Sequence, residues 1–206
     1  MARRHGVLSE DPEAARSQIL RAAETAIQRF GIAKTTIDDV AKETGVSRPT
    51  IYRYFRDRDT LMTSMIEARS RRLFEQAREY VSDRDTFAEQ VVDGLLYLVD
   101  QGRRDMVIRL IVSPEHAGRR TALAGSSGLA SRLTYEMWAP LIDAARERGE
   151  IREGITDIEI CNWITLVELI LVGRMDFGDP TGPENKRLLT NLLLPGIVST
   201  PVEVMR

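Results

Sequence analysis

The run Gly45-Val46-Ser47-Arg48-Pro49-Thr50-Ile51-Tyr52-Arg53-Tyr54-Phe55 reads as the end of one helix, a tight turn and the start of another. Gly45 suits the left-handed backbone just past a helix end. Ser47 is placed to cap the segment that follows. Pro49 falls in its first turn, where a missing N–H costs nothing. At 100° per residue Ile51 and Phe55 share one face and must bury against a neighbour. The opposite face carries Pro49, Thr50 and Arg53, flanked by Arg48, Tyr52 and Tyr54.

Upstream, Ile19, Leu20, Ala22, Ala23, Ala26, Ile27 and Phe30 recur at the spacing of one helical face, and Gly31 ends the run. Thr36 then stands as N-cap of a short helix from Ile37 to about Glu43. Asp39, three residues on, completes a capping-box pattern. Two short helices around a Gly-containing turn make a helix-turn-helix candidate.

The outer face of the second short helix has the chemistry to meet DNA. A guanidinium can fork onto guanine O6 and N7, small apolar groups can meet a thymine methyl, and phenols can donate to phosphate. The helix N-terminus adds N–H groups and a positive dipole end. In such motifs the early residues of the second helix reach the bases, which here are Arg48, Pro49, Thr50 and Arg53. The helix pattern taken alone also suits a plain helical hairpin with a solvated arginine face.

Almost all of the remaining chain also reads as helix. A polar turn, Arg56-Asp57-Arg58-Asp59, leads into a long helix ending near Tyr80 or Val81. Further helices are expected at 85–102, 105–113, 127–149, 157–175 and 183–194. Breaks fall at Gly102, Ser113-Pro114, Gly125 to Gly128, Gly149 and Gly178 to Pro183. No strand alternation is convincing. The expected architecture is all-α: a helix-turn-helix head over residues 1–57 and a larger helical regulatory and dimerisation body over 58–206.

Composition is consistent with a globular helical protein, with 43% apolar and 29% charged residues. One cysteine and two histidines exclude a disulfide framework and argue against structural zinc. No apolar run has transmembrane length, and the start has no signal-peptide pattern, so a cytoplasmic protein without membrane attachment is expected. The net charge of −2 hides an asymmetry. Residues 1–60 carry 11 basic and 9 acidic side chains, against 18 and 22 in the remainder. Phosphate binding depends on local potential, so a basic head on an acidic body is permissible.

The head also resembles the TetR family of bacterial repressors. The resemblance rests on Ile19-Leu20-Arg21-Ala22-Ala23, Phe30-Gly31, Thr35-Thr36-Ile37, Val40-Ala41, Gly45-Val46-Ser47, Ile51-Tyr52-Arg53-Tyr54-Phe55 and Leu61. It covers about residues 16–62. It implies a three-helix DNA-binding head, an all-helical regulatory body and a dimer, with Thr36, Tyr52 and Arg58 holding phosphates. Arg58 stands where the family usually has lysine, and either cation serves a phosphate. Arg48-Pro49 replaces the commoner small or glycine residues, so the operator cannot be borrowed from relatives. The expected DNA-contacting set is Thr36, Ser47, Arg48, Pro49, Thr50, Tyr52, Arg53, Tyr54 and Arg58. Arg3 and Arg4 suit either a minor-groove arm or a disordered terminus.

The segment 157–175 is apolar nearly all round: Ile158, Ile160, Cys161, Trp163, Ile164, Leu166, Val167, Leu169, Ile170, Leu171 and Val172. Such a helix needs two buried faces, one on its own core and one on a partner. The last helix adds Leu188, Leu189, Leu192, Leu193 and Leu194 before Pro195-Gly196. The resemblance implies a four-helix homodimer interface through these last two helices; a central core helix in a monomer is the alternative. Gly149-Glu150-Ile151-Arg152 followed by Asp157 also resembles a join in family regulatory domains. Candidate ligand-pocket residues are Leu96, Tyr97, Met106, Leu110, Tyr135, Trp138, Trp163 and Glu168, each of which also suits ordinary core. Glu168 needs a partner if buried: Arg109, a ligand amine or hydroxyl, or the dimer edge. Cys161 reads as a small core residue, since nothing nearby in sequence lowers its pKa.

Nothing in the sequence assembles an enzyme, a metal site or a cofactor site. His5 and His116 are far apart, and Gly125-Ser126-Ser127-Gly128 is neither a nucleophile elbow nor a phosphate loop. An architectural DNA-binding protein without ligand control is the rival within DNA binders. The expectation is a dimeric repressor on a palindromic, double-stranded operator, released by a small apolar or amphipathic effector.

Overall fold

The computed structural model describes residues 8–105, 129–173, 179 and 181–199. The expected helix over 105–113, with Met106, Arg109 and Leu110, lies outside the described residues, as do Arg3, Arg4 and the Gly125–Gly128 segment.

The first three helices follow from local signals. Helix α1 spans Pro12–Phe30; Asp11 caps it by accepting from the Glu13 and Ala14 N–H groups, and Gly31 closes it at φ 76°. Helix α2 spans Ile37–Thr44, with Thr36 and Asp39 forming the reciprocal capping box. Gly45 then takes φ 78°, ψ 18°, a left-handed conformation that favours glycine. Helix α3, Arg48–Tyr54, starts at Ser47, whose hydroxyl accepts from the Thr50 N–H. These three helices and the first turns of the next enclose one core, built on Ile19, Ile27, Val40, Ile51, Phe55, Leu61, Met62 and Met65.

Helix α4, Arg58–Tyr80, is shared between two cores. Its first turns bury Leu61, Met62, Met65 and Ile66 in the head. Its last turns place Leu73, Phe74 and Ala77 in a second core. At its start Asp57 accepts from the Thr60 N–H and hydroxyl and from Arg56, which hold its carboxyl down to about 2.

The second core is built by α5 (Phe87–Arg104), α6 (Leu129–Glu147), α7 (Asp157–Gly173) and the C-terminal segment. Trp138 of α6 is fully buried across from Gly94 of α5. A Cβ at Gly94 would sit 3.2 Å from the indole Cη2, so glycine sets the spacing of the two helices. Arg71 of α4 forks onto Glu136 of α6, with Nε to Oε2 at 3.0 Å and Nη2 to Oε1 at 3.2 Å.

Two details depart from the sequence reading. The last helix is not regular over 183–194. Helix α8 covers Pro183–Leu188, then a wider π-type turn runs through Leu189–Leu193 and a 3₁₀ turn through Leu194–Gly196. Pro195 supplies the cause, since it lacks an N–H and its ring crowds the carbonyl four residues back. The Leu194 N–H reaches Leu189 O instead, and Leu189, Leu193 and Leu194 are all buried. Second, the join at Gly149–Ile151 makes an isolated antiparallel bridge from Ile151 to Val198. Arg152 N–H donates to Ile197 O and Ser199 N–H to Glu150 O, each at 2.9 Å, pinning residues 197–199 to the body.

Candidate nucleic-acid interface

Helix α3 meets the head core through Ile51 and, just past its end, Phe55; both are fully buried. Arg48, Pro49, Tyr52 and Arg53 are exposed on the other side, with Thr50 and Tyr54 half-buried. Burial of one face therefore fixes which residues point outward, and they are those the sequence singled out.

The outward residues differ in how they are held. Among the described residues no carboxylate pairs with Arg53, whose guanidinium lies 5.4 Å from the centre of the Tyr54 ring. Arg48 is tethered: its Nη1 donates to Asp38 Oδ2 at 3.2 Å, and its Nε lies 3.2 Å from Oδ1. The Tyr52 phenol, then Asp38, raise the Arg48 pKa above its ordinary value. The Ser47 and Thr50 hydroxyls lie 2.9 Å apart and hydrogen-bond to each other, so part of their capacity is spent on the cap. Thr36 is exposed at the start of α2, with its hydroxyl 2.6 Å from Asp39 Oδ2.

Arg58, which the resemblance assigns to phosphate, is half-buried and bonded to the loop before α2 in the free chain. Its Nε donates to Thr35 O at 2.8 Å, its Nη2 to Ile32 O, and its Nη1 lies 3.5 Å from Asp59. The guanidinium turns back onto the loop before α2 because that loop offers carbonyls past the end of α1. Arg58 thus braces the loop that presents Thr36.

The sequence reading missed two residues. Arg16 on α1 donates from Nη1 to Tyr54 O at 3.0 Å and from Nη2 to Ser64 at 2.8 Å. Its guanidinium also lies 4.2 Å from the Phe55 ring centre. It ties α1, α3 and α4 together from 38 to 48 residues away. Asp38 is the second, and its tie to Arg48 is likewise a tertiary contact with no local signal.

In the body the candidate pocket residues separate. Leu96 and Trp138 are buried in the core, and Tyr97 stacks on Tyr80 with ring centres 4.7 Å apart. Tyr135 and Trp163 are 44% and 45% exposed in the single chain. Both sit on helices with apolar residues on several faces, where periodicity does not say which side is inward. Glu168 is half-buried overall and lies on the core-side stripe with Ile164 and Leu171. Burial pushes its carboxyl up to about 7. Cys161 is buried, and desolvation, with Asp157 nearby, pushes its thiol up to about 11, so it holds little nucleophilic thiolate. A cavity of about 320 Å³ lies between α4 and the end of α5, lined by charged and polar residues including Arg69, Gln76, Gln101 and Arg104. None of the described candidate pocket residues lines it.

At the same junction Arg69 of α4 pairs with Glu24 of α1 at 3.1 Å and with Asp105 at 2.5 Å. Arg72 also pairs with Glu24. Head, shared helix and body meet in this one ionic cluster.

A capped helix pair presenting arginines and a tyrosine, joined through α4 to a helical body, has the form of a helix-turn-helix head. Residues 19–65 match the family of bacterial regulatory proteins known as the tetR family. An uncharacterised HTH-type transcriptional regulator of Mycobacterium bovis is 27% identical, over 71% of this chain and 75% of that protein. The HTH-type transcriptional regulator EthR of Mycolicibacterium smegmatis is also 27% identical, over 77% of this chain and 71% of that one. A TetR-family regulator of known structure from Pectobacterium atrosepticum shares the fold with a TM-score of 0.70 at 16% identity, covering 95% of this chain and all of that one. The head is thus similar to the tetR family, and the relatives matched over most of this chain are named as HTH-type transcriptional regulators. Among the described residues no helix is long and apolar enough to cross a membrane.

Proposed function

We propose that this chain is a dimeric, ligand-responsive repressor that binds a palindromic operator and is released by a small apolar or amphipathic effector. The observation that carries the reading is the pairing of an outward arginine face on α3 with an uncovered apolar face on α7. Trp163, Leu166 and Ile170 stand exposed along one stripe of α7, to one side of the buried Ile160, Ile164 and Leu171. Docking two such stripes gives one molecule two heads. Those heads can then meet half-sites about 34–36 Å apart on one side of the duplex.

In this reading Arg53, Arg48, Pro49 and Thr50 address base edges, while Thr36 and Tyr52 hold phosphates. The effector binds in the body beyond α4, with Leu96, Tyr97 and Glu168 as its nearest described candidates. Helix α4 belongs to both cores, so a ligand that favours another placement of its C-terminal half changes the separation of the heads. The Glu24–Arg69–Asp105 cluster carries that displacement to α1.

The test is selection of bound duplexes from a random-sequence library, followed by footprinting. The reading predicts one palindromic sequence and protection of two adjacent major grooves; uniform coating with no preferred site would overturn it. On the selected duplex, Arg53→Ala should cost about 1–3 kcal/mol and relax base preference, whereas Tyr52→Phe should weaken all sequences alike. Equal losses for Arg53→Ala on selected and random duplexes would refute its base-reading role.

A further inference from the structure

Arg48 and Arg53 are both exposed on α3, but they are held differently. Arg53 has no carboxylate partner among the described residues, whereas Arg48 is forked onto Asp38 of α2 by two contacts of 3.2 Å. Both members of the pair are about half exposed, at 54% and 47% of their side chains. An ion pair so open to water adds little to stability. Its effect is on position, since a two-point contact fixes the guanidinium plane, which a single-point pair would not. The pair is open to solvent at the contact of α2 with α3, within reach of whatever α3 meets. There a carboxylate repels phosphate and competes with it for the same N–H groups.

We infer that Asp38 is a specificity-determining residue of the DNA-reading head, acting through Arg48. It withholds Arg48 from indiscriminate phosphate contacts and presents the remaining N–H groups to a base. An untethered Arg48 on a flexible stem can swing to the nearest phosphate of any sequence, which raises affinity without information. A tethered one engages only where a base edge meets the fixed guanidinium. The inference rests on α3 being the base-reading helix of the proposed repressor.

The test compares the full-length wild type, Asp38→Asn, Arg48→Ala and the double variant. Each is titrated with the duplex selected by the wild type and with a random-sequence duplex, over a range of salt. Asparagine keeps the shape of the side chain, and thermal unfolding of each variant shows whether the head remains folded. Asp38→Asn should tighten binding to the random duplex several-fold. It should also steepen the log–log salt dependence there by about 0.9, the value of one added phosphate contact. The ratio of selected to random affinity should fall. In the Arg48→Ala background the same substitution should leave the salt slope unchanged.

Three results would overturn the inference: equal weakening on both duplexes, an unchanged specificity ratio, or the same gain in the Arg48→Ala background. The last would show general charge repulsion rather than action through Arg48. Failure of the wild type to select any sequence would instead strike at the repressor reading, so the two failures are distinguishable.

Discussion

Changing Leu166 and Leu192 together to glutamate is expected to give a folded monomer that has lost most of its affinity for a two-half-site operator. In the isolated chain Leu166 is 54% and Leu192 70% exposed, with Trp163, Ile170 and Leu188 also uncovered nearby in sequence on the same two helices. Several large side chains left in water along two helices form a patch a monomer rarely keeps. Covering each contributes roughly 1.5–3 kcal/mol. Glutamates at these positions cost little in a monomer, where more than half of each side chain faces solvent. In a dimer they would place unpaired charges inside an apolar contact, which is strongly unfavourable. Losing the second head removes the effective-concentration advantage of a linked pair, so operator affinity should fall by about 10²–10⁴. A duplex carrying a single half-site should be bound as before, because α3 is untouched. Sedimentation and duplex titration measure the two quantities. A double variant that still sediments as a dimer would place the interface elsewhere on the body.

The parts of this molecule that could be read from sequence are those set by neighbours within one or two turns. Thr36 and Asp39 cap α2 from three residues apart, Gly45 is left-handed because a helix ends there, and Ser47 and Pro49 start α3. Ile51 and Phe55 are inward because the helical repeat puts them on one face, and the outward residues follow by subtraction. The doubly apolar character of α7 was equally legible, since one helix cannot bury two opposite faces in a small core. Residues whose partners lie far along the chain were not legible. Arg58 reads as a surface cation on the polar turn, yet its donors close the loop at Ile32 and Thr35. Arg16 and Asp38 look like ordinary solvated charges until α3 and α4 come to rest beside them. The exposure of Tyr135 and Trp163 was not legible for another reason: an aromatic on a helix apolar on several faces has no periodic cue to its direction. The π-type turn at Leu189–Leu193 had only Pro195 as its signal, and proline marks a break without saying how the preceding turns adjust.

Phe55→Ala should unfold the head selectively and abolish DNA binding while leaving the body folded and dimeric. Phe55 is fully buried in the core shared by α1, α2, α3 and the first turns of α4. Truncating a buried phenylalanine costs about 3–5 kcal/mol through lost transfer energy and the cavity left behind. Here the loss has a second part. The ring is the surface on which the Arg16 guanidinium rests at 4.2 Å, and that guanidinium holds Tyr54 O and Ser64. Without the ring, the group that locks the end of α3 to α4 loses its seat. A head of about 60 residues buries a smaller share of its surface than a large domain does, so its stability margin is small. A loss of this size consumes most of that margin. Phe55→Leu keeps most of the volume and should show a partial loss, whereas Arg16→Met keeps the stem and removes only the polar ties. Hydrogen exchange resolved along the chain checks the outcome. Amides of α1–α3 should lose protection in Phe55→Ala while those of α5 and α6 keep theirs. If the body amides lost protection in step with the head, the two cores would form one cooperative unit. Helix α4 would then act as a shared spine whose opening ends both functions together.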